Sequence, residues 1–173
     1  MKKLTASLLI ILSVIVTSCG IADDISISGT KDITKDFSIS VDQTTAGTPA
    51  DLSASTTINL SDVVSDAADG NIESVKINSF NYKFKDFVGA NTTGRVSFAL
   101  KINGEEFTSV TDVDPSTGTT YTVNEADKLA VLENILKNDS SSDLSAVGTI
   151  QSDDGAMSFK IEISFNITVT LKP

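Results

Sequence analysis

Apolar and polar residues alternate most regularly at the end of the chain. Met157, Phe159, Ile161, Ile163, Phe165, Ile167, Val169 and Leu171 take every second position, with Ser158, Lys160, Glu162, Ser164, Asn166, Thr168 and Thr170 between them. A period of two places each set on its own face, which predicts a half-buried strand of an antiparallel sheet. At about 3.3 Å per residue such a strand would span about 50 Å. That exceeds the usual length and predicts a bend or bulge within it.

The same period recurs upstream, in Phe37, Ile39 and Val41, in Leu52, Ala54, Thr56, Ile58 and Leu60, and in Val96, Phe98, Leu100 and Ile102. Val75 and Ile77 are one step out of phase with Phe80, Tyr82 and Phe84, so the slip between Asn78 and Ser79 predicts a bulge or a bend. Asn103-Gly104, followed by Phe107 and Val110, is a hairpin signal, because both turn residues take positive φ. Asp153-Asp154-Gly155, between a short strand over Val147 to Gln151 and the last strand, is read as a second hairpin turn. Thr44 to Ala50, Ser61 to Asn71 and Asn138 to Ser145 are polar connections, and Ser61 is placed to cap one helical turn.

One segment departs from the pattern. Leu129, Leu132, Ile135 and Leu136 recur at helical spacing within Asn124 to Asn138. Asn124 or Thr122 is placed to cap this helix, Glu125 suits its first turn, and Glu133 and Lys137 form an i,i+4 pair. The leucine stripe is read as core. The expectation is a mainly β protein, an antiparallel β-sandwich with one amphipathic helix. A membrane barrel is disfavoured, because only one strand is long enough and aromatic girdles are lacking.

The first twenty residues follow none of these periods. Met1-Lys2-Lys3 is a short basic start, Leu4 to Val16 is an apolar run, and Val16-Thr17-Ser18-Cys19-Gly20 ends it. The run is short for a membrane span and matches a secretory signal. An aliphatic residue three before a cysteine, with small residues between, resembles the lipobox of bacterial lipoproteins. The resemblance implies lipidation of Cys19, cleavage between Ser18 and Cys19, and acylation of the new amine, palmitate being the typical chain. One acyl chain holds a protein only marginally, whereas two or three anchor it stably.

The expected division is therefore signal peptide 1–18, lipidated cysteine and tether 19–32, and β-sandwich domain 33–173. Without Lys2 and Lys3, 11 basic residues face 23 acidic ones, a charge of −12. So acidic a body stands off an anionic lipid surface. Ser74-Val75-Lys76-Ile77-Asn78-Ser79-Phe80-Asn81-Tyr82 also resembles the central segment of small uncharacterised lipoproteins of the Bacteroidetes, a likeness that implies no activity. In enterobacterial lipoproteins an Asp directly after the cysteine favours the inner membrane. Here Gly20 stands there, and the resemblance implies the outer membrane. Asp23 and Asp24 resemble the acidic surface-export signal of Bacteroidetes lipoproteins, and read equally as a solvated tether, so periplasmic and surface exposure both stay open.

Composition then removes several chemistries. The 173 residues carry 13 Lys and Arg against 23 Asp and Glu, a net charge of −10, which excludes a basic nucleic-acid face. There is no histidine and one cysteine, which excludes His-dependent nucleophile systems, histidine metal sites and an internal disulfide. Ser28-Gly29-Thr30-Lys31 fits Ser-x-x-Lys but lacks its partner motifs. Asp112, Asp114 and Ser116 place oxygens at alternate positions, as a calcium loop does, but also suit a turn set by Pro115 and Gly118. Lys83, Lys85 and Arg95 are a small basic set on a solvated face, and Phe80, Tyr82, Phe84, Phe98, Phe107, Phe159 and Phe165 are read as core. The functional expectation is a non-catalytic envelope lipoprotein, structural or binding a protein or glycan partner, with no cofactor beyond its lipid. The alternatives are an envelope hydrolase using Asp and Glu carboxylates, or a calcium-dependent adhesion or glycan-binding domain.

Overall fold

The structure, a computed structural model, describes residues 26–42, 48–89, 94–152 and 155–173. Cys19, Asp153 and Asp154 lie outside them. Among the described residues, eight strands fold into two antiparallel sheets. They are β1 (Ser28–Val41), β2 (Ala50–Asn59), β3 (Ile72–Val88), β4 (Arg95–Ile102), β5 (Glu105–Val113), β6 (Thr120–Thr122), β7 (Ser141–Gln151) and β8 (Met157–Leu171). The helix α1 (Ala126–Asn138) precedes β7. One sheet has the order β1-β8-β3-β6 and the other β2-β7-β4-β5.

This order has a simple origin. Asn103 (φ 47°) and Gly104 (φ 84°) form the tip of a hairpin joining β4 to β5. Working outward from that tip, β3 pairs with β6, β2 with β7 and β1 with β8, all antiparallel. The chain is thus one long hairpin, rolled up until β8 meets β3 and β7 meets β4. That arrangement is a jelly roll, a β-sandwich of two Greek keys. Its core holds Phe37, Ile58, Leu60, Phe80, Phe84, Leu100, Ile102, Phe165 and both buried helix leucines, Leu132 and Leu136. All seven aromatics expected in the core are buried there.

The alternation in β8 is realised in full, with every second side chain buried from Met157 to Leu171. The expected bulge is not in β8, which keeps continuous register with β1 over its first fourteen residues. Its neighbour β3 absorbs the mismatch instead, with register shifts at Ile72/Ser74, Ile77/Ser79 and Lys85/Val88. The second shift is the phase slip seen in the sequence.

Other expectations are corrected. The link through Asp153-Asp154-Gly155 is not a hairpin turn, because β7 and β8 belong to different sheets. The stretch 138–145 is not all loop, since β7 begins at Ser141. Pairing with β2 supplies the backbone partners that Ser141 and Ser142 would otherwise take from water, and β4 joins from Leu144 onward. Strand β1 begins at Ser28, five positions before the expected domain start at Ile33. Its polar first turns pair with β8 and are tied side by side through Thr30–Thr168 (2.8 Å) and Asn166–Asp32 (2.7 Å). Neither Asn124 nor Thr122 caps α1. Glu125 is its N-cap residue, without a side-chain cap bond, and its carboxylate accepts from the Asn124 N–H and from Lys128.

The sandwich has two poles. Ser28, Leu171, Gly70 and the Asn103-Gly104 tip are at the pole where β1 begins, and Val41, Gly89, Gly94, Pro115 and Met157 are at the other.

Candidate functional site

The chemically richest surface is the outer face of the β1-β8-β3 sheet. Here alternation turns Asp36, Ser38 and Ser40 of β1, Ser158, Lys160 and Glu162 of β8, and Lys83 and Lys85 of β3 to the same side. Lys85 bridges Asp36 (3.0 Å) and Glu162 (2.6 Å), while Lys83 reaches the other Glu162 oxygen at 2.8 Å. The two lysines hold the Glu162 carboxyl below its ordinary range, and Lys85 is raised in turn by Glu162 and then Asp36. Lys83 and Lys85 are therefore neutralised and form no free basic patch. Arg95 lies in the other sheet, 3.5 Å from Asp112.

Toward the pole opposite Ser28, this face opens into a shallow cavity of about 230 Å³ lined by Ser38, Ser40, Asp86, Ser158 and Lys160, over Ile39 and Phe159. A second hollow of about 220 Å³ shares Ser40 and Ser158 and continues past Asp42, Val88 and Met157. Asp86 sits in the last bulge of β3 with φ 54°, a left-handed conformation that costs a non-glycine residue energy. The bulge swings its carboxylate onto Lys160 at 2.7 Å, which lowers its pKa from the usual aspartate value. Three hydroxyls with one carboxylate and one ammonium can exchange hydrogen bonds with a hydroxylated or amide-bearing ligand. A signal for this site was in the sequence. Continuing Phe80, Tyr82 and Phe84 by two places puts Asp86 on the apolar face, so the carboxylate marks a second break in phase.

The calcium candidates do not converge. Asp114 Oδ1 accepts from the Ser116 N–H (2.9 Å) and the Ser116 hydroxyl (2.7 Å), capping the 3-10 turn Pro115–Thr117 that ends at Gly118 (φ 63°). Asp112 has φ 56° in a β5 irregularity, donates its N–H to Ser97 Oγ and faces Arg95. Among the described residues no three of Asp, Glu, His and Cys are grouped as metal ligands. Lys31 of the Ser-x-x-Lys stretch donates to the Asp62 carbonyl (2.8 Å) on the edge strand β1.

No protein-family model matches the chain, and neither does any curated protein. Among solved structures it is similar to a decameric BFDV capsid protein, at 12% identity and a TM-score of 0.43, over 83% of this chain and 99% of that one.

Proposed function

We propose that the chain is a cell-envelope lipoprotein anchored through Cys19, whose jelly roll is a non-catalytic structural or binding module held at the outer membrane. The observation that carries this reading is the segment Val16-Thr17-Ser18-Cys19-Gly20 behind a basic start and an apolar run. The fold suits it in two ways. Strand β1 begins at one pole at Ser28, and the shallow cavity lies toward the other end of β1, at Ser38–Ser40, about 36 Å away. Of the carboxylates near that cavity, Asp36, Asp86 and Glu162 are committed to ion pairs, which favours binding over hydrolysis. The partner is then an envelope protein or glycan meeting the outward pole.

Cys19→Ser tests the anchor. The variant should leave the membrane fraction or accumulate as uncleaved precursor. Full processing with continued partition into detergent would overturn the reading.

A further inference from the structure

Two open sheets leave four edge strands, and each edge presents a row of N–H and C=O groups to any strand that can reach it. Three of these edges are guarded. Strand β6 is three residues long, and beyond it α1 packs on β3, where Glu133 Oε1 accepts the Ile77 N–H at 2.8 Å. Strand β5 carries two register shifts and Glu105, Glu106 and Asp112, with α1 packed against it. Strand β1 places Lys31 and Lys35 at the inward positions of the alternation that buries Ile33, Phe37 and Ile39, and an inward charge blocks extension of a sheet.

Strand β2 has none of these sequence devices, and of the facing sheet β1 packs near it. Ala50–Asn59 contains no Pro, Gly, Lys or Arg, and it pairs with β7 in unbroken register. Its other edge pairs with nothing among the described residues.

We propose that this edge takes β2 of a second copy of the chain, antiparallel about a two-fold axis through Ser55, so that two four-stranded sheets become one of eight. The strand is complementary to itself about that residue. Leu52 falls opposite Ile58, both buried on the inner face, Ser53 opposite Thr57, and Ala54 opposite Thr56. Asp51, the one charge in the strand, meets Asn59 rather than itself. Leu52–Ile58 pairs therefore extend the core side, small Ala54–Thr56 pairs sit between them, Ser and Thr pairs line the wet side, and no like charges oppose each other. On a chain of net charge −10, β2 also gives self-association a site of low charge. The pairing does not depend on the lipid anchor.

Cysteine cross-linking of the full chain in membranes or detergent tests it. Facing residues of an antiparallel pair are near enough for a disulfide. Ser55→Cys should give a species of doubled mass under oxidation, above any that wild type forms through Cys19 and above Thr168→Cys on the other sheet. Adding Thr56→Lys should abolish that species while the circular dichroism spectrum is kept, and should halve the mass measured by light scattering. A wild type that stays monomeric at every concentration would overturn the proposal. So would a Ser55→Cys product that contains a different protein.

Discussion

Ile163 and Thr168 share a strand but not a fate. Ile163 is fully buried at the centre of β8, between the core faces of β1 and β3. Ile163→Asp removes a buried aliphatic side chain and sets a carboxylate in the core face, with only Lys35 of β1 as a charge opposite it, and should cost more than about 3 kcal/mol, read as a lost or shifted denaturant transition. Thr168 is on the other face but is not bare, since its hydroxyl pairs with Thr30 Oγ1 (2.8 Å) and accepts from Asn78 Nδ2 (3.0 Å). Both groups can donate to a carboxylate, so Thr168→Asp should cost no more than about 1 kcal/mol. Equal damage from the two would mean that this strand has no wet face. Tyr82 gives a test by titration. Burial pushes its phenol up to about 12, with Tyr121 stacked on it at 5.0 Å and Glu125 near enough to add to the shift. The folded state holds that proton more tightly than the unfolded chain, so the stability it contributes is intact below pH 10 and is lost between about 10 and 12. Lys85, raised in its own pKa, adds to the decline above its ordinary 10.5. Tyr82→Phe should remove the late phase from the tyrosinate absorbance titration and make the alkaline loss of stability shallower. A late phase that survives the substitution would assign the shift to another group.

At the scale of elements, the informative contact joins helix to strand. Glu133 is not paired with Lys137 as its i,i+4 spacing predicts but accepts the Ile77 N–H at the bulge, on the flank of β3 opposite β8, where β6 does not reach. An N–H left without an acceptor at a part-buried site costs about 1–3 kcal/mol. Glu133→Ala should lose that much in chemical denaturation, and Glu133→Gln, which keeps a carbonyl oxygen, should lose less. Equal losses in the two variants would show that the charge, rather than the acceptor, matters. The same contact shows what the sequence could and could not reveal. The bulge was legible as a phase slip and the helix as a leucine stripe, because both are local periods. That they meet was not legible, because the rolled hairpin brings residue 133 to residue 77 through pairings far apart in the chain. The β7 start was missed for a related reason. Ser141, Ser142 and Asp143 have no apolar period, and they are strand only because β2 pairs with them and the Asn103 turn bonds Asp143. Gly148 has a cause equally remote, as a Cβ there would come within 2.0 Å of the Ser97 carbonyl oxygen. In the shallow cavity, Ser38, Ser40, Ser158 and Lys160 read only as wet-face residues until β1 is laid beside β8.

For the whole molecule, the sign of the charge balance sets the response to pH. Net charge is −10 at neutrality and the isoelectric point is about 4.3. Acidification from neutral therefore first relieves self-repulsion, and stability should hold or rise slightly down to about pH 5. A second effect then takes over. Asp69, Asp86, Glu125 and Glu162 all have carboxyls lowered from ordinary values of 3.8 or 4.5. Their main causes are the Ser140 N–H, Lys160, Lys128 and Lys83 respectively. The folded state binds fewer protons at these groups than the unfolded chain does. The stability they contribute is complete above about pH 4.5 and is lost as pH falls through their lower folded values. Thermal melts across pH should give a plateau from 7 to about 5 and a fall below about 4.5. Added salt should stabilise at neutral pH, where it screens net repulsion. Glu162→Gln removes the carboxylate that Lys83 and Lys85 share, so its acid limb should be shallower than that of wild type. A steady decline beginning near neutrality, or an acid limb unchanged by Glu162→Gln, would place the acid sensitivity outside this face.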